Sequence, residues 1–227
     1  MSGVRVVQLL ECDPGLGEGL TEEERACAAE ELPAQAVSLD PGPWQPGARA
    51  PEPGHLGYLI AAGVVVRRVE IGQGSSVELL GDGDLLRPWQ EETSSFSTAS
   101  WEILERATVL ALGPGLARDA GQWPPIVSNL VARGVRRSRA IAADAAIASI
   151  VGLEERLLIL LWKIAETWGE TRGDGVHITI HLPHRLLAEL VGARRPSVTT
   201  ALSELQQSGR LVSTSHGCWI LCGDPPC

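Results

Sequence analysis

The residues best suited to act on a partner lie between positions 183 and 212. Arg194, Arg195, Ser197, Thr199, Thr200 and Ser203 fall on the polar face and at the start of one segment. Its other face carries Val198, Ala201, Leu202 and Leu205 at i, i+3, i+4 and i+7, which is a buried helical stripe. A guanidinium fork can donate two hydrogen bonds to O6 and N7 of guanine. Small hydroxyls and a helix N-terminus suit phosphate oxygens. Arg195 is therefore expected to read a base, and Arg194 and Ser197 to hold phosphates. Thr199 belongs to the same polar face. Thr200, about a turn and a half beyond Arg195, is expected to meet a base edge or a thymine methyl. His184 and His216 are candidate contacts to the nucleic-acid backbone.

Those side chains need a frame. Leu186, Leu187 and Leu190 give the preceding segment an apolar face, and Ala188 is small where two helices would cross. Gly192 sits where the chain must turn sharply, and Gly209 ends the second helix. Leu211–Thr214 and Cys218–Leu221 are expected to pair across Ser215-His216-Gly217. The pattern predicts a helix-turn-helix followed by a wing. Over residues 181–213 there are four Arg and two Glu, a net charge of +2. So small an excess points to a dimer that pools phosphate contacts.

Upstream, Thr21 is a predicted N-cap for a short helix over 21–31, with Glu22, Glu23 and Glu24 in its first turn. Residues 33–112 alternate Pro/Gly clusters with short apolar runs, among them Leu56–Ala61, Val64–Val69, Val77–Leu80 and Thr108–Leu112. That spacing predicts short antiparallel strands in a sandwich or barrel. From Pro124 the composition turns helical. Val127, Val131, Gly134, Ser138, Ile141, Ala145 and Ala148 recur at alternating spacings of four and three. This row is either a small-sided dimer seam or the face by which the helix packs on its own domain. Val151-Gly152 breaks the helix before a second one, Leu153–Trp168, with Leu157, Leu160, Leu161, Ile164 and Trp168 on its apolar face. A short strand is expected at Val176–Ile180.

The predicted fold class is α+β. Residues 1–120 form an antiparallel, jelly-roll-like β-roll, 121–150 a dimerisation helix and 151–227 a winged helix-turn-helix. The net charge of −9 divides unevenly among them. Residues 1–120 carry 8 basic and 19 acidic side chains, net −11. Residues 121–150 come to +3, through Arg133, Arg136, Arg137 and Arg139 against Asp144, and residues 151–227 to −1. An acidic sensor half would be repelled by a duplex and so would orient the other half toward it. The single lysine, Lys163, stands against eighteen arginines, a bias that suggests a GC-rich genome.

At the residues Leu-Ala-Glu-Leu-Val-Gly-Ala-Arg-Arg-Pro-Ser-Val-Thr-Thr-Ala-Leu-Ser-Glu-Leu, within Leu182–Val212, the chain resembles the Crp/Fnr family of bacterial transcription regulators. The order β-roll, long helix, winged helix resembles that family too. The resemblance implies a homodimer joined along residues 124–150 and a palindromic double-stranded DNA site read by two recognition helices. RNA polymerase is a further partner to be expected. Arg195 matches the family's base-reading arginine. Pro196 stands where many members have Glu, and Thr200 where many have Arg, so the family's usual half-site is not carried over. An alternative reading has the winged helix dock on protein rather than DNA.

Family members of this shape usually bind an effector in the β-roll. A cyclic-nucleotide site would need a Gly-Glu-x-Gly loop and an Arg-Ser pair on the phosphate. Here the loop reads Gly81-Asp82-Gly83-Asp84-Leu85-Leu86-Arg87, and no arginine occupies the later phosphate position in Ser97–Trp101. Arg87 and Asp84 are the candidate effector contacts, the effector itself is unknown, and cyclic AMP is not expected to bind.

Other classes fall on residue types. Five cysteines, odd in number and without a CxxC pair, imply neither a disulfide framework nor a zinc ribbon. Cys12 and Cys27 are too few for an iron–sulfur cluster. His55 alone supplies neither a haem site nor a cupin-type metal centre. Cys218, Cys222 and Cys227 are either inert thiols or a site for metal or oxidation. No metal, no cofactor and no enzymatic activity is expected, since GxSxG, GxGxxG and Walker patterns are missing. The first residues lack a signal peptide's apolar core, and no run of about 18 uncharged apolar residues occurs. A cytoplasmic location is the expectation.

Overall fold

The computed structural model describes residues 4–46, 53–90, 96–214 and 217–226. The chain divides into two compact units, one of Met1–Gly74 and Glu78–Arg139, the other of Ser75–Val77 and Ala140–Cys227.

The first unit opens with β1 (Val4–Gln8), α1 (Leu9–Cys12) and α2 (Glu22–Glu31). Thr21 caps α2 as its sequence predicts. Its hydroxyl accepts from the Glu24 backbone N–H at 3.2 Å, and the Glu24 carboxylate accepts from the Thr21 N–H at 2.8 Å, a reciprocal capping box. Then come β2 (Pro33–Leu39), β3 (Gly42–Trp44), β4 (Gly57–Ile71), β5 (Gly74–Leu80), β6 (Leu85–Leu86) and β7 (Ser97–Leu112), followed by α3 (Pro114–Ala120). The sheet runs β1-β2-β7-β4-β5, with β3 on β7 and β6 on β4, and the paired strands are antiparallel.

The alternation of strand side chains builds two cores. Leu59, Leu110 and Leu112 face one cluster, which also takes in Leu9, Leu16, Leu32 and Ile126. Their neighbours Ile60, Val109 and Ala107 face the other, with Leu80, Trp101 and Ile103. The strands are longer than the sequence reading expects. Leu56–Ala61 and Val64–Val69 are not two short strands but parts of one 15-residue strand. Gly63 does not break it, because the register shifts in bulges on both sides and the strand continues. Gly63 has φ +95°, and a Cβ there would lie 2.3 Å from the carbonyl oxygen of Arg106. Only glycine lets the two backbones approach so closely.

A 25-residue helix, α4 (Pro124–Ala148), divides between the two units. In the second unit it is followed by α5 (Leu153–Trp168), β8 (Gly169–Arg172), β9 (Gly175–Ile178), α6 (His184–Leu190), α7 (Arg195–Gln207), β10 (Leu211–Ser213) and β11 (Trp219–Leu221). Its sheet is ordered β10-β11-β9-β8. Strand β8 is not foreseen by the sequence reading, which takes Gly169 only as a helix stop. All four of its residues are exposed and three are polar, so it has no apolar alternation to betray it. Leu157, Leu160, Leu161 and Ile164 of α5 are buried against the unit's core. Lys163 of α5 pairs with Asp144 of α4 and donates to the carbonyl of Ala140 at 3.4 Å. Among the described residues no helix is long and apolar enough to cross a membrane.

Candidate nucleic-acid interface

The second unit holds the helix-turn-helix. Val198, Ala201, Leu202 and Leu205 of α7 are all buried, as are Leu186, Leu187 and Ala188 of α6. The turn between the helices is closed by Gly192, with φ +64°, where the Ala193 N–H bonds back to the Ala188 carbonyl at 2.9 Å. That is the left-handed cap that ends a helix abruptly. Arg156 of α5 braces this end from below. It donates to the Val191 carbonyl at 2.8 Å and through two nitrogens to the Ile150 carbonyl at 2.7 and 3.1 Å. Sequence reading misses Arg156, since its partners lie 35 and 6 residues away and are backbone atoms.

The opposite face of α7 is exposed at Arg194, Arg195, Ser197, Thr199, Thr200 and Ser203. Arg194 is the N-cap residue and caps with no side-chain bond. Neither Arg194 nor Arg195 makes a side-chain hydrogen bond or ion pair with a described residue. The start of α7 thus lacks a side-chain cap and carries two exposed guanidinium groups with no partner among the described residues, an arrangement suited to phosphate. Toward the far end of the helix, a hydrogen bond that the protonated Glu204 carboxyl makes to Glu154 of α5 pushes Glu204 above its ordinary value.

His184 is half-buried. Its Nδ1 lies 3.1 Å from the Thr199 hydroxyl, and its ring stacks on Trp219 of β11 at 5.9 Å and 26°. The histidine thus ties α6 to α7 and to the wing strand, a role that the sequence, with 15 and 35 residues between the partners, does not display. The wing strands pair as Leu211↔Leu221, Val212↔Ile220 and Ser213↔Trp219. His216 lies outside the described residues.

In the row predicted as a seam on α4, Val127, Val131 and Ile141 are 41%, 63% and 46% exposed. Gly134, Ser138, Ala145 and Ala148 are exposed as well. The buried or half-buried row is the adjacent one: Ile126, Leu130, Arg133, Arg137, Ala140, Asp144 and Ile147, again at spacings of four and three. Of the two readings left open by the sequence, packing on the chain's own domain falls to this neighbouring row.

Arg137 on that row donates from Nε and Nη2 to the two oxygens of Glu78, at 2.8 and 3.0 Å, and from Nη1 to the Leu85 carbonyl at 3.3 Å. Arg67 of β4 reaches the same carboxylate at 3.2 Å. Arg133 forks onto Asp13 at 2.8 and 2.9 Å. Glu78 is the buried charged side chain of the described residues, 8% exposed.

The two candidate effector residues have separate occupations. Asp84 is half-buried and accepts from the Gly81 N–H at 2.8 Å, closing its own loop. Burial pushes its carboxyl up from the ordinary value, against the opposing pull of that hydrogen bond and of Arg136 and Arg137. Arg87 is exposed, donates to the His55 carbonyl at 3.3 Å and lies 5.8 Å over the Trp89 ring. Among the described residues no contact joins the two. His55 accepts from the Gly57 N–H at 3.1 Å and packs on Tyr58 and Trp89. Cys218 and Cys222 are half-buried free thiols, and Cys227 lies outside the described residues. No group of three or more metal-ligating side chains occurs among the described residues.

Comparison with known proteins agrees with this layout. The family described as Crp-like helix-turn-helix domain matches residues 155–225. A relative from Mycobacterium tuberculosis, named as a CRP-like cAMP-activated global transcriptional regulator, is 25% identical over 164 residues, covering 70% of this chain and 72% of the relative. Among solved structures, a CooA variant from Carboxydothermus hydrogenoformans has a TM-score of 0.64 at 15% identity, covering 83% of each chain. A CRP/FNR-family transcriptional regulator from Thermus thermophilus has a TM-score of 0.61 at 18% identity, covering 83% of this chain and 93% of that one. Residues 155–225 thus match a Crp-like helix-turn-helix domain, and the chain as a whole shares the fold of these Crp/Fnr-type structures.

Proposed function

We propose that the chain acts in the cytoplasm as a homodimer that binds a palindromic operator in double-stranded DNA through α7, without enzymatic activity. The observation that carries this reading is the exposed N-terminal face of α7, where Arg194, Arg195, Ser197 and Thr200 surround uncapped N–H groups while the other face is anchored. Arg195 is assigned to a guanine edge, Arg194 and Ser197 to phosphates, and His216 to the backbone beside the wing. RNA polymerase is the further partner this reading entails. Binding to duplex DNA is expected to weaken linearly in log K against log salt. A salt-independent affinity, or none on any duplex, would overturn the reading and favour docking on protein.

Two copies are proposed to meet along Val127, Val131, Gly134, Ser138, Ile141, Ala145 and Ala148. Exposed valine and isoleucine beside small residues supply apolar area with room for close approach. Val131→Glu combined with Ile141→Glu should yield a monomer with weak operator binding. An intact dimer of that variant in sedimentation would reject the seam.

Cyclic AMP is proposed not to be the effector. Asp84 and Arg87 are engaged elsewhere, and Arg133 and Arg137 already carry carboxylate partners. Titration calorimetry with cyclic AMP should give no binding heat.

A further inference from the structure

Half-buried Arg156, in the first turn of α5, spends its guanidinium on backbone. The side edge, Nε and Nη2, meets the Ile150 carbonyl at 3.1 and 2.7 Å. The outer nitrogen, Nη1, meets the Val191 carbonyl at 2.8 Å. The planar group fixes the direction of each N–H, so these bonds define an angle and not merely a proximity. Ile150 lies just beyond Ala148, the last residue of α4. Val191 caps the end of α6 and precedes the turn to Arg194, the N-cap of α7. The N–H groups of Val191, Gly192 and Ala193 close that turn on the carbonyls of Leu187, Glu189 and Ala188. Arg156 adds the bond to Val191 that they do not supply.

A second tether lies on the same face of α5. Lys163, at i+7 from Arg156, pairs with Asp144 and donates to the Ala140 carbonyl at 3.4 Å. α5 therefore holds the last turns of α4 at two points. The same helix packs on α7. All of these residues, from Ala140 onward, belong to the second unit. Within that unit the final turns of α4 and the start of α7 are set against one frame, and Arg156 is the side chain that bonds to both.

We propose that Arg156 is a positioning residue that fixes the angle between the end of α4 and α7, and through it the spacing between half-sites that the dimer accepts. The proposal rests on the reading of the chain as a dimer joined along α4 that docks on DNA through α7. In such a dimer α4 is where the copies meet each other, and α7 is where each copy meets the duplex. The separation of the two α7 helices follows from the angle between α4 and α7, and half-site spacing follows from that separation. Arg156 reads no base, because each of its nitrogens is engaged inside the domain. Choice of base and choice of spacing thus fall to different arginines, Arg195 and Arg156.

The test is selection with the full-length protein from a duplex library that varies both the half-site bases and the gap between half-sites. Arg156→Met keeps the apolar stem and removes every donor. Arg156→Lys keeps the charge, but a single nitrogen cannot stand at both edges of the lost fork. Wild type should favour one spacing. Arg156→Met should lower that preference by about three- to tenfold, the range of one net hydrogen bond, and admit longer or shorter gaps. The bases chosen within each half-site should stay those of wild type. Arg156→Lys should move in the same direction. Arg195→Ala should do the reverse, relaxing a base and keeping the spacing. A loss of affinity in Arg156→Met that is equal at every spacing would overturn the proposal, since a merely structural residue acts that way. So would a changed base choice within the half-site. If Arg156→Met does not fold, a spacing preference in Arg156→Lys as sharp as that of wild type overturns it. Wild type that selects bases but no spacing defeats the dimer reading, and wild type that selects no duplex defeats the DNA reading. Either result takes the inference with it.

Discussion

On α4, Arg133 and Arg137 turn toward the sheet and end on Asp13 and Glu78. On α7, Arg194 and Arg195 are exposed and pair with no carboxylate among the described residues. Both pairs contribute the same charge to a count along the sequence. Their uses differ because of helical phase. Arg133 and Arg137 share a row with Ile126, Leu130 and Ile147, so they are carried inward and require carboxylates. Arg194 and Arg195 sit at the start of a helix whose buried stripe begins only at Val198, so nothing carries them inward. Two of the four arginines of residues 121–150 are thus spent within the first unit, whereas α7 keeps both of its own at its exposed start.

The comparison breaks most sharply at Glu78. Glu78→Ala would leave the half-buried Arg137 and Arg67 without their shared buried carboxylate, and loss of one partner of a buried pair costs up to about 3–5 kcal/mol. Urea denaturation should show that loss. A variant that unfolds with wild type would mean that Arg137 is as dispensable to folding as Arg195. For Arg195→Ala the expected cost is about 1–3 kcal/mol of specific DNA binding with relaxation at one base position. Its unfolding should stay within about 0.5 kcal/mol of wild type, as for a surface residue without partners. Unchanged operator affinity would place the reading function elsewhere.

The smallest effect concerns Asp84, near the inward arginines. Burial raises its carboxyl in the folded chain, so the ionised form is disfavoured there. The resulting cost is absent below the ordinary Asp value. It grows as pH rises from that value to the raised one and is complete above it. Asp84→Asn should therefore be more stable than wild type at neutral pH, with the gain vanishing as pH falls below the ordinary Asp value. A pH-independent difference in melting would argue against this account.

The recognition helix was legible because its apolar stripe is complete and bounded by Gly192 and Gly209. The α2 cap was legible because Thr21 and Glu24 lie three residues apart. Local spacing carries both. The long strands were not, because Gly63 has the look of a turn residue and acts as a bulge. The clasp of Glu78 and Arg137 joins residues 59 positions apart, and the His184–Thr199 bond joins two separate helices. Such pairings arise only once the fold has brought distant segments together. The row on α4 shows a finer limit. Two adjacent rows have the same period, and only burial distinguishes the inward one from the exposed one.

Lys163 has a consequence for how the cell can address this protein. It is the chain's only lysine, and it is tied to Asp144 and to the Ala140 carbonyl. Every other basic side chain apart from histidine is a guanidinium, which neither deprotonates in proteins nor serves as a target for lysine acetylation. Acyl transfer to side-chain amines, a common means of weakening a regulator's hold on DNA, finds no reactive group on the α7 surface. The attraction of that surface for phosphate is therefore closed to adjustment by lysine acylation, the one charge-removing modification that needs a side-chain amine.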